Sequence, residues 1–318
     1  MSYEIKKVVV LGSGLMGNGL TQVFARDKDT AVVLRSRSKK SNPFEGVRAD
    51  LDILIKNGAM TEEDAGAILS RMSFTDDMEE ALADADLVVE CVLENMELKQ
   101  DLFREIEPLI RPDTILATNT SVMSITQIAS KTQKKDRVVG THFWNPPYLI
   151  PLVEVVKGDG TSLEVVDAVY GYLKKIGKKP VKCMKDVQGF IANRLQHAIW
   201  REALYVVEAG IADAATVDEA LKYGPGLRWP HLGILENVDM IGADLSLDIQ
   251  RGVIPYLADN KEPSALLEKL VAEGKLGFKA EPDADGLHEG YQKWTDGQIA
   301  ESRTALREYL IKVTKDLK

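Results

Sequence analysis

Cysteine is nearly missing from this chain: there are two in 318 residues, Cys91 and Cys183. They lie far apart, form no C-x-x-C and have no neighbours that suggest a metal. A disulfide framework and a thiolate metal centre are therefore not expected, and free thiols in a reducing compartment are. Positive charge is also in short supply. Forty Lys and Arg stand against 49 Asp and Glu, giving a formal net charge of −9 and a pI near 5.2. Such a surface suits neither nucleic acid nor an anionic membrane, although a local basic patch can still hold phosphate. No long apolar span is present, and no signal or transit segment precedes the first strand, so a cytoplasmic chain is expected. Internal repeats and low-complexity tracts are lacking too. What is there is 45% hydrophobic, enough for a large core and about two domains.

The most informative stretch is VVVLGSGLMGNGL, Val8 to Leu20. An apolar run reads as a buried parallel strand, and Gly12, Gly14 and Gly17 follow at once in G-x-G-x-x-G spacing, opening a helix. The spacing predicts a dinucleotide site made by Gly12, Ser13, Gly14, Leu15, Met16 and Gly17. Gly12 allows the tight turn, Gly14 lets a pyrophosphate approach the backbone, and Gly17 lets helix and strand pack closely. The helix N-terminus offers N–H groups and a positive dipole end to the phosphates. One expected feature is missing. An NAD site carries an Asp or Glu about 20 residues beyond the glycines, on the ribose 2′-OH. This chain has Arg35-Ser36-Arg37-Ser38-Lys39-Lys40 after its second strand. A serine flanked by guanidinium groups suits a 2′-phosphate, so Ser36 and Arg37 favour NADP(H), with NAD(H) possible.

Strands are expected at Ala31–Leu34, Met72–Thr75, Leu87–Cys91, Thr114–Ala117, Arg137–Thr141, Val153–Val156 and Pro180–Cys183. Helical patterns fall between them, including Glu97–Ile110 and a pair over Asn42–Ser70. That pair offers Arg48 and Lys56 to a substrate phosphate, or to solvent. Polar residues gather beyond the carboxyl ends of the strands, where open α/β sheets bind ligands. After Lys185 the pattern becomes helical, starting with a long helix over Gly189–Glu208. The fold class is α/β: a Rossmann-type doubly wound sheet over 1–185, followed by a mainly α-helical domain over 186–318.

GSGLMG, VVECVLEN, LATNTS, GTHFWNPP, LVEVV and DVQGFIANRL occur in that order and at family-like spacing. Over nearly its whole length the chain resembles the L-3-hydroxyacyl-CoA dehydrogenase family. The resemblance implies a catalytic base at His142, oriented by Glu154, with Ser121 and Asn193 on the reacting oxygen of the substrate. It implies Glu94, Lys99, Asn119 and Asn145 around the nicotinamide end of the cofactor. The chemistry agrees: a near-neutral His can take the hydroxyl proton while hydride leaves, and a carboxylate fixes its tautomer. A Glu in an apolar strand also demands a partner, because an unpaired buried carboxylate is costly. The implied substrate is a 3-hydroxyacyl-CoA, as in fatty acid metabolism, with no metal and with a homodimer as the assembly. Pro146-Pro147-Tyr148 and Gly226-Leu227-Arg228-Trp229 depart toward relatives that oxidise free β-hydroxy acids such as gulonate or carnitine. Arg228 would there clamp a free carboxylate. A non-catalytic, crystallin-like nucleotide-binding protein is the reading from another class.

Overall fold

A computed structural model describes residues 3–37 and 41–315. Eight strands form one sheet: β1 (Lys7–Leu11), β2 (Ala31–Arg35), β3 (Met72–Thr75), β4 (Leu87–Glu90), β5 (Ile115–Thr118), β6 (Val138–Phe143), β7 (Leu152–Val156) and β8 (Lys179–Cys183). Their spatial order is β3-β2-β1-β4-β5-β6-β7-β8. The first six are parallel, β7 runs antiparallel to β6, and β8 is parallel to β7. The chain leaves β1 for β2 and β3 on one side and returns to place β4 on the other. The switch between β1 and β4 opens the crevice where such sheets take a ligand.

The helices of the sheet part are α1 (Leu15–Phe24), α2 (Glu45–Lys56), α3 (Glu62–Ser70), α4 (Met78–Leu82), α5 (Met96–Ile106), α6 (Ile125–Ile128) and α7 (Leu163–Lys175). They cover both faces of the sheet, which is why the central strands read as unbroken apolar runs. Alternation sorts the run after Lys7. Val8 and Val10 pack with Leu20, Val23, Leu51 and Leu54, while Val9 and Leu11 pack with Phe103, Ile106, Ile125 and Ile128. Each such side chain, fully buried, contributes about 1.5–3 kcal/mol. Thr61 begins α3 with a capping box: its hydroxyl accepts from Asp64 N at 3.1 Å and its own N–H reaches the Asp64 carboxylate at 3.2 Å.

The remaining helices are α8 (Ala192–Glu208), α9 (Ala214–Tyr223), α10 (Ile234–Ile241), α11 (Ala243–Val253), α12 (Ala265–Ala272) and α13 (Asp296–Lys315). The chain divides into two compact units. One runs up to Arg194 and includes the stretch from Leu306 onward; the other is Leu195–Ala305. The division thus falls inside α8, later than Lys185, and the end of α13 belongs with the sheet unit, where Ile311 joins its core. A change of periodicity marks where strands stop, not where packing divides, and a returning helix carries no local sign. Two helical expectations are also adjusted. The long helix starts at Ala192, because Gly189 and Phe190 hold positive φ of 73° and 49°. The helix expected to reach Ile110 stops at Ile106, because Pro108 cannot donate and turns the chain into a 3₁₀ segment.

Candidate active site

The glycine turn after β1 is shaped as its spacing predicts. Gly12 has φ +117°, and a Cβ there would stand 2.7 Å from the Cys91 carbonyl oxygen at the end of β4. A Cβ on Gly17 would stand 1.7 Å from the Gly12 oxygen, so helix and turn touch. Gly14 is different: a Cβ on it would meet nothing within 4 Å. Gly14 is also the N-cap of α1 and brings no side-chain cap, so the first N–H groups of a ten-residue helix face open space. Ser13 Oγ donates to Ser36 Oγ at 3.0 Å, tying this turn to the end of β2. Arg35, beside it, has a buried Nε with no hydrogen-bond partner among the described residues. Open space over Gly14, an uncapped helix start and an orphaned guanidinium N–H together fit a dinucleotide. Arg37 is exposed, and Ser38, Lys39 and Lys40 lie outside the described residues.

The cleft alongside has a volume of about 420 Å³ and is lined by Leu15, Met16, Glu94, Asn119, Ser121, His142, Asn145 and Asn193 from the expected set, and also by Cys91 and Trp144. Burial pushes the Cys91 thiol well up, and its side chain packs against the core of the sheet unit. His142 stands on β6 directly opposite Glu154 on β7 in the antiparallel register. The imidazole Nδ1 is 2.7 Å from Glu154 Oε2. Glu154 is fully buried, and its other oxygen accepts from Ile191 N at 2.8 Å and Ala192 N at 3.0 Å, at the start of α8. Burial works to raise its pKa. The His142 ring and the two backbone N–H groups outweigh it and hold the carboxyl below its ordinary range. A carboxylate at Nδ1 favours the tautomer that donates from Nδ1, which leaves the Nε2 lone pair bare. The Trp144 and Phe190 rings flank the imidazole at centroid distances of 5.6 and 5.7 Å.

Asn193 Nδ2 donates to the Ser121 carbonyl at 3.0 Å, so both line the cleft as one unit. Ser121 N and the Thr120 hydroxyl donate to Glu94 Oε1, and Lys99 Nζ stands 3.2 Å from Glu94 Oε2. Burial tends to raise Glu94, but Thr120, Lys99 and the Ser121 amide hold it below the usual carboxylate range. Asn119 Oδ1 accepts from Phe143 N at 2.9 Å, linking the ends of β5 and β6.

One expectation changes. Lys99 does not line the cleft. It is 1% exposed and pairs with the equally buried Glu90 at 2.7 and 2.9 Å, so it supports Glu94 from beneath. Arg228 lies exposed in the second unit after the turn Pro225–Leu227. Arg48, offered by the sequence to a substrate phosphate or to solvent, is a partly exposed ion-pair partner of Asp52 and Glu62, at 2.8 and 3.0 Å. Glu90 and Phe190 were not singled out from sequence. A Glu closing an apolar strand carries the same signal that marks Glu154, and Lys99 stands nine residues on to answer it. Phe190 had only the glycine before it as a sign. Among the described residues no group of three or more His, Cys, Asp or Glu side chains could hold a metal ion, and no helix is long and apolar enough to cross a membrane.

Comparison with known proteins places this geometry. The family model described as 3-hydroxyacyl-CoA dehydrogenase, NAD binding domain, matches residues 7–187, and the one described as 3-hydroxyacyl-CoA dehydrogenase, C-terminal domain, matches 189–283. A 3-hydroxybutyryl-CoA dehydrogenase of Clostridioides difficile is 36% identical over 275 residues, covering 86% of this chain and 96% of that protein. The crystal structure of a 5-formyl-3-hydroxy-2-methylpyridine 4-carboxylic acid 5-dehydrogenase, described as an NAD+-dependent dismutase, superposes with a TM-score of 0.87 at 30% identity over 99% of both chains. That of an (S)-3-hydroxybutyryl-CoA dehydrogenase from Ralstonia eutropha gives a TM-score of 0.75 at 33% identity, covering 92% of this chain and all of that one. From this geometry and these matches, the chain belongs to the 3-hydroxyacyl-CoA dehydrogenase family, nicotinamide-dependent oxidoreductases acting on a CH–OH group.

Proposed function

We propose that the chain interconverts a 3-hydroxyacyl-CoA and its 3-oxoacyl-CoA, with His142 and Glu154 as the acid/base pair. The observation that carries this is the buried 2.7 Å contact between them at the cleft wall. A nicotinamide dinucleotide, when bound, supplies the hydride-accepting or hydride-donating ring. Leu15, Met16 and the Gly12–Gly17 turn would hold it, with Glu94 and Asn145 at the cleft end. His142 Nε2 takes the hydroxyl proton in oxidation and returns it in reduction. Glu154 stabilises the imidazolium formed between, because the pair is shielded from water. Ser121 and Asn193 present polar groups to the reacting oxygen, where charge develops.

NADP(H) is the proposed preferred cofactor. Ser36 in place of a carboxylate, the orphaned Arg35 Nε and the neighbouring Arg37 support it. A homodimer is proposed on the second unit. No residue of α8 to α11 is buried, yet Leu195, Trp200, Leu235, Met240, Leu245 and Ile249 stand half or more exposed. A second substrate reading, a small free acid without CoA, is favoured by the full-length superposition on the pyridine-carboxylate enzyme.

The test is the initial rate of reduced-nicotinamide consumption with acetoacetyl-CoA, comparing NADPH with NADH. Turnover with NADPH in preference to NADH supports the whole reading. Turnover with NADH alone removes the cofactor preference and keeps the substrate class. Turnover with free β-keto acids but not acetoacetyl-CoA moves the substrate to the second reading.

A further inference from the structure

The strongest unexplained feature of the sheet unit is a cavity of about 900 Å³ bounded by α1, α7 and the start of β8. Six basic residues line it: Arg26, Lys28, Lys174, Lys175, Lys178 and Lys179. In a chain of net charge −9 that is a concentration against composition. Asp27 is the carboxylate among the described lining residues, and it is already engaged, by Lys175 Nζ at 2.9 Å and Thr30 Oγ1 at 2.8 Å. Lys28, Lys174 and Lys179 are exposed at the rim.

Two cations sit deeper. Arg26 donates one N–H to the Tyr148 carbonyl at 3.2 Å, and its Nε is buried with no hydrogen-bond partner among the described residues. Lys178 is 6% exposed, and its ammonium reaches the carbonyls of Pro147 and Ile150, the latter at 2.9 Å. Among the described residues neither forms an ion pair. Burial first, and the nearby Arg26 charge second, push the Lys178 pKa down to about 7. Besides those carbonyls, Lys178 Nζ lies 5.9 Å from the Phe143 ring centroid. A nearly buried ammonium near a partly buried guanidinium, with no carboxylate on either, is costly to keep charged, and an anion would relieve that cost.

We propose that this cavity is a binding site for a small phosphate-class anion of pyrophosphate size, taken up by Arg26 and Lys178 with Lys174 and Lys179 at its mouth. Phosphate oxygens match both needs at once. They accept from the free Arg26 Nε in the geometry guanidinium prefers, and they neutralise the adjacent ammonium. The carbonyls these two side chains hold belong to the loop between β6 and β7. That loop also carries Trp144 and Asn145, so the anion would bear on a wall of the cleft.

The experiment is calorimetric titration of the full chain with pyrophosphate at ionic strength fixed with sodium chloride, run on the wild type and on Lys174→Gln/Lys179→Gln. A parallel titration uses ADP, and both are run with the dinucleotide site first saturated by NADPH. Saturable binding at one site per chain, weakened about five- to tenfold in the double variant, is expected. A charge-matched control, Lys261→Gln/Lys269→Gln, should bind as the wild type does. If pyrophosphate matches ADP, the source is free phosphate; if ADP binds more tightly, the source is a nucleotide. Absence of saturable binding with both probes overturns the proposal, as does unchanged binding in Lys174→Gln/Lys179→Gln. Both rim lysines are exposed, so the variant should fold, which a melting curve checks, and neither lines the cleft of His142. A failed dehydrogenase assay therefore leaves this result readable on its own.

Discussion

Replacing Glu154 with Gln removes one charge from a fully buried position and changes almost no volume. The amide oxygen of Gln can still accept from Ile191 N and Ala192 N, which lie 2.8 and 3.0 Å from Glu154 Oε1. The amide NH₂ must then face His142 Nδ1, where Glu154 Oε2 now stands at 2.7 Å. A donor there obliges Nδ1 to accept, so Nε2 carries the proton and cannot take another from an alcohol. Reduction suffers as well, because the imidazolium Nδ1–H would oppose the amide. An analogous Asp-to-Asn change behind a catalytic His costs about 10⁴ in kcat. We expect a fall of about 10³–10⁴ here, or roughly 4–5.5 kcal/mol at 1.36 kcal/mol per tenfold. The assay is kcat in both directions with acetoacetyl-CoA and its 3-hydroxy product. Reduced-cofactor fluorescence should show binding little changed, and a melting curve should show that the variant is folded. A folded variant turning over near the wild-type rate would refute the reasoning, since nothing would then depend on the tautomer.

Gly14→Ala should melt like the wild type, because its Cβ meets nothing within 4 Å, yet raise the cofactor KM about tenfold or more by filling the space the phosphates need. Gly17→Ala should instead fail to fold or lose several kcal/mol in chemical denaturation, about the upper range for a point change, since its Cβ would lie 1.7 Å from the Gly12 oxygen. Equal melting of the two variants would contradict the close contact between α1 and the glycine turn. Lys99→Met strands the buried Glu90 carboxylate and should cost about 3–5 kcal/mol in urea unfolding. A loss under about 1 kcal/mol would show that the pair is not desolvated. Stability should also fall as pH drops. Burial tends to raise Asp27, Asp86, Glu94, Glu107 and Glu154, but hydrogen bonds and cations hold each below its ordinary value. Their stabilisation is complete above the unfolded carboxylate range, near pH 4, and is lost as pH falls through the lower folded values. A melting temperature that stays flat from pH 5 to pH 3 would count against these bonds.

How much was legible in the sequence depends on the distance over which each feature is decided. The strand, the glycine turn and α1 lie within Val8 to Phe24, so spacing alone specifies them, and each glycine has its own steric reason. Ser36, standing where an NAD site is expected to carry a carboxylate, is equally local. His142 and Glu154 stood out through the family resemblance carried by GTHFWNPP and LVEVV; for Glu154 the cost of an unpartnered carboxylate in an apolar strand, a property of the residue and its neighbours in sequence, pointed the same way. That the two face each other was decided by the β6–β7 register, in which a slip of one residue would turn Glu154 to the opposite face. The backbone amides of Ile191 and Ala192 reach Glu154 from 37 and 38 residues away, and no side-chain pattern announces an N–H. Lys99 read as a cofactor contact until packing buried it against Glu90. Arg26 and Lys178 are ordinary as letters. Their charge became costly only when the tertiary structure buried Lys178 and the Arg26 Nε within electrostatic reach of each other. Sequence by itself determined the elements and the residue types the chemistry requires; the tertiary structure decided which charges lost their solvent and what answers them, because desolvation depends on everything packed around a group and not on the residues beside it in the chain.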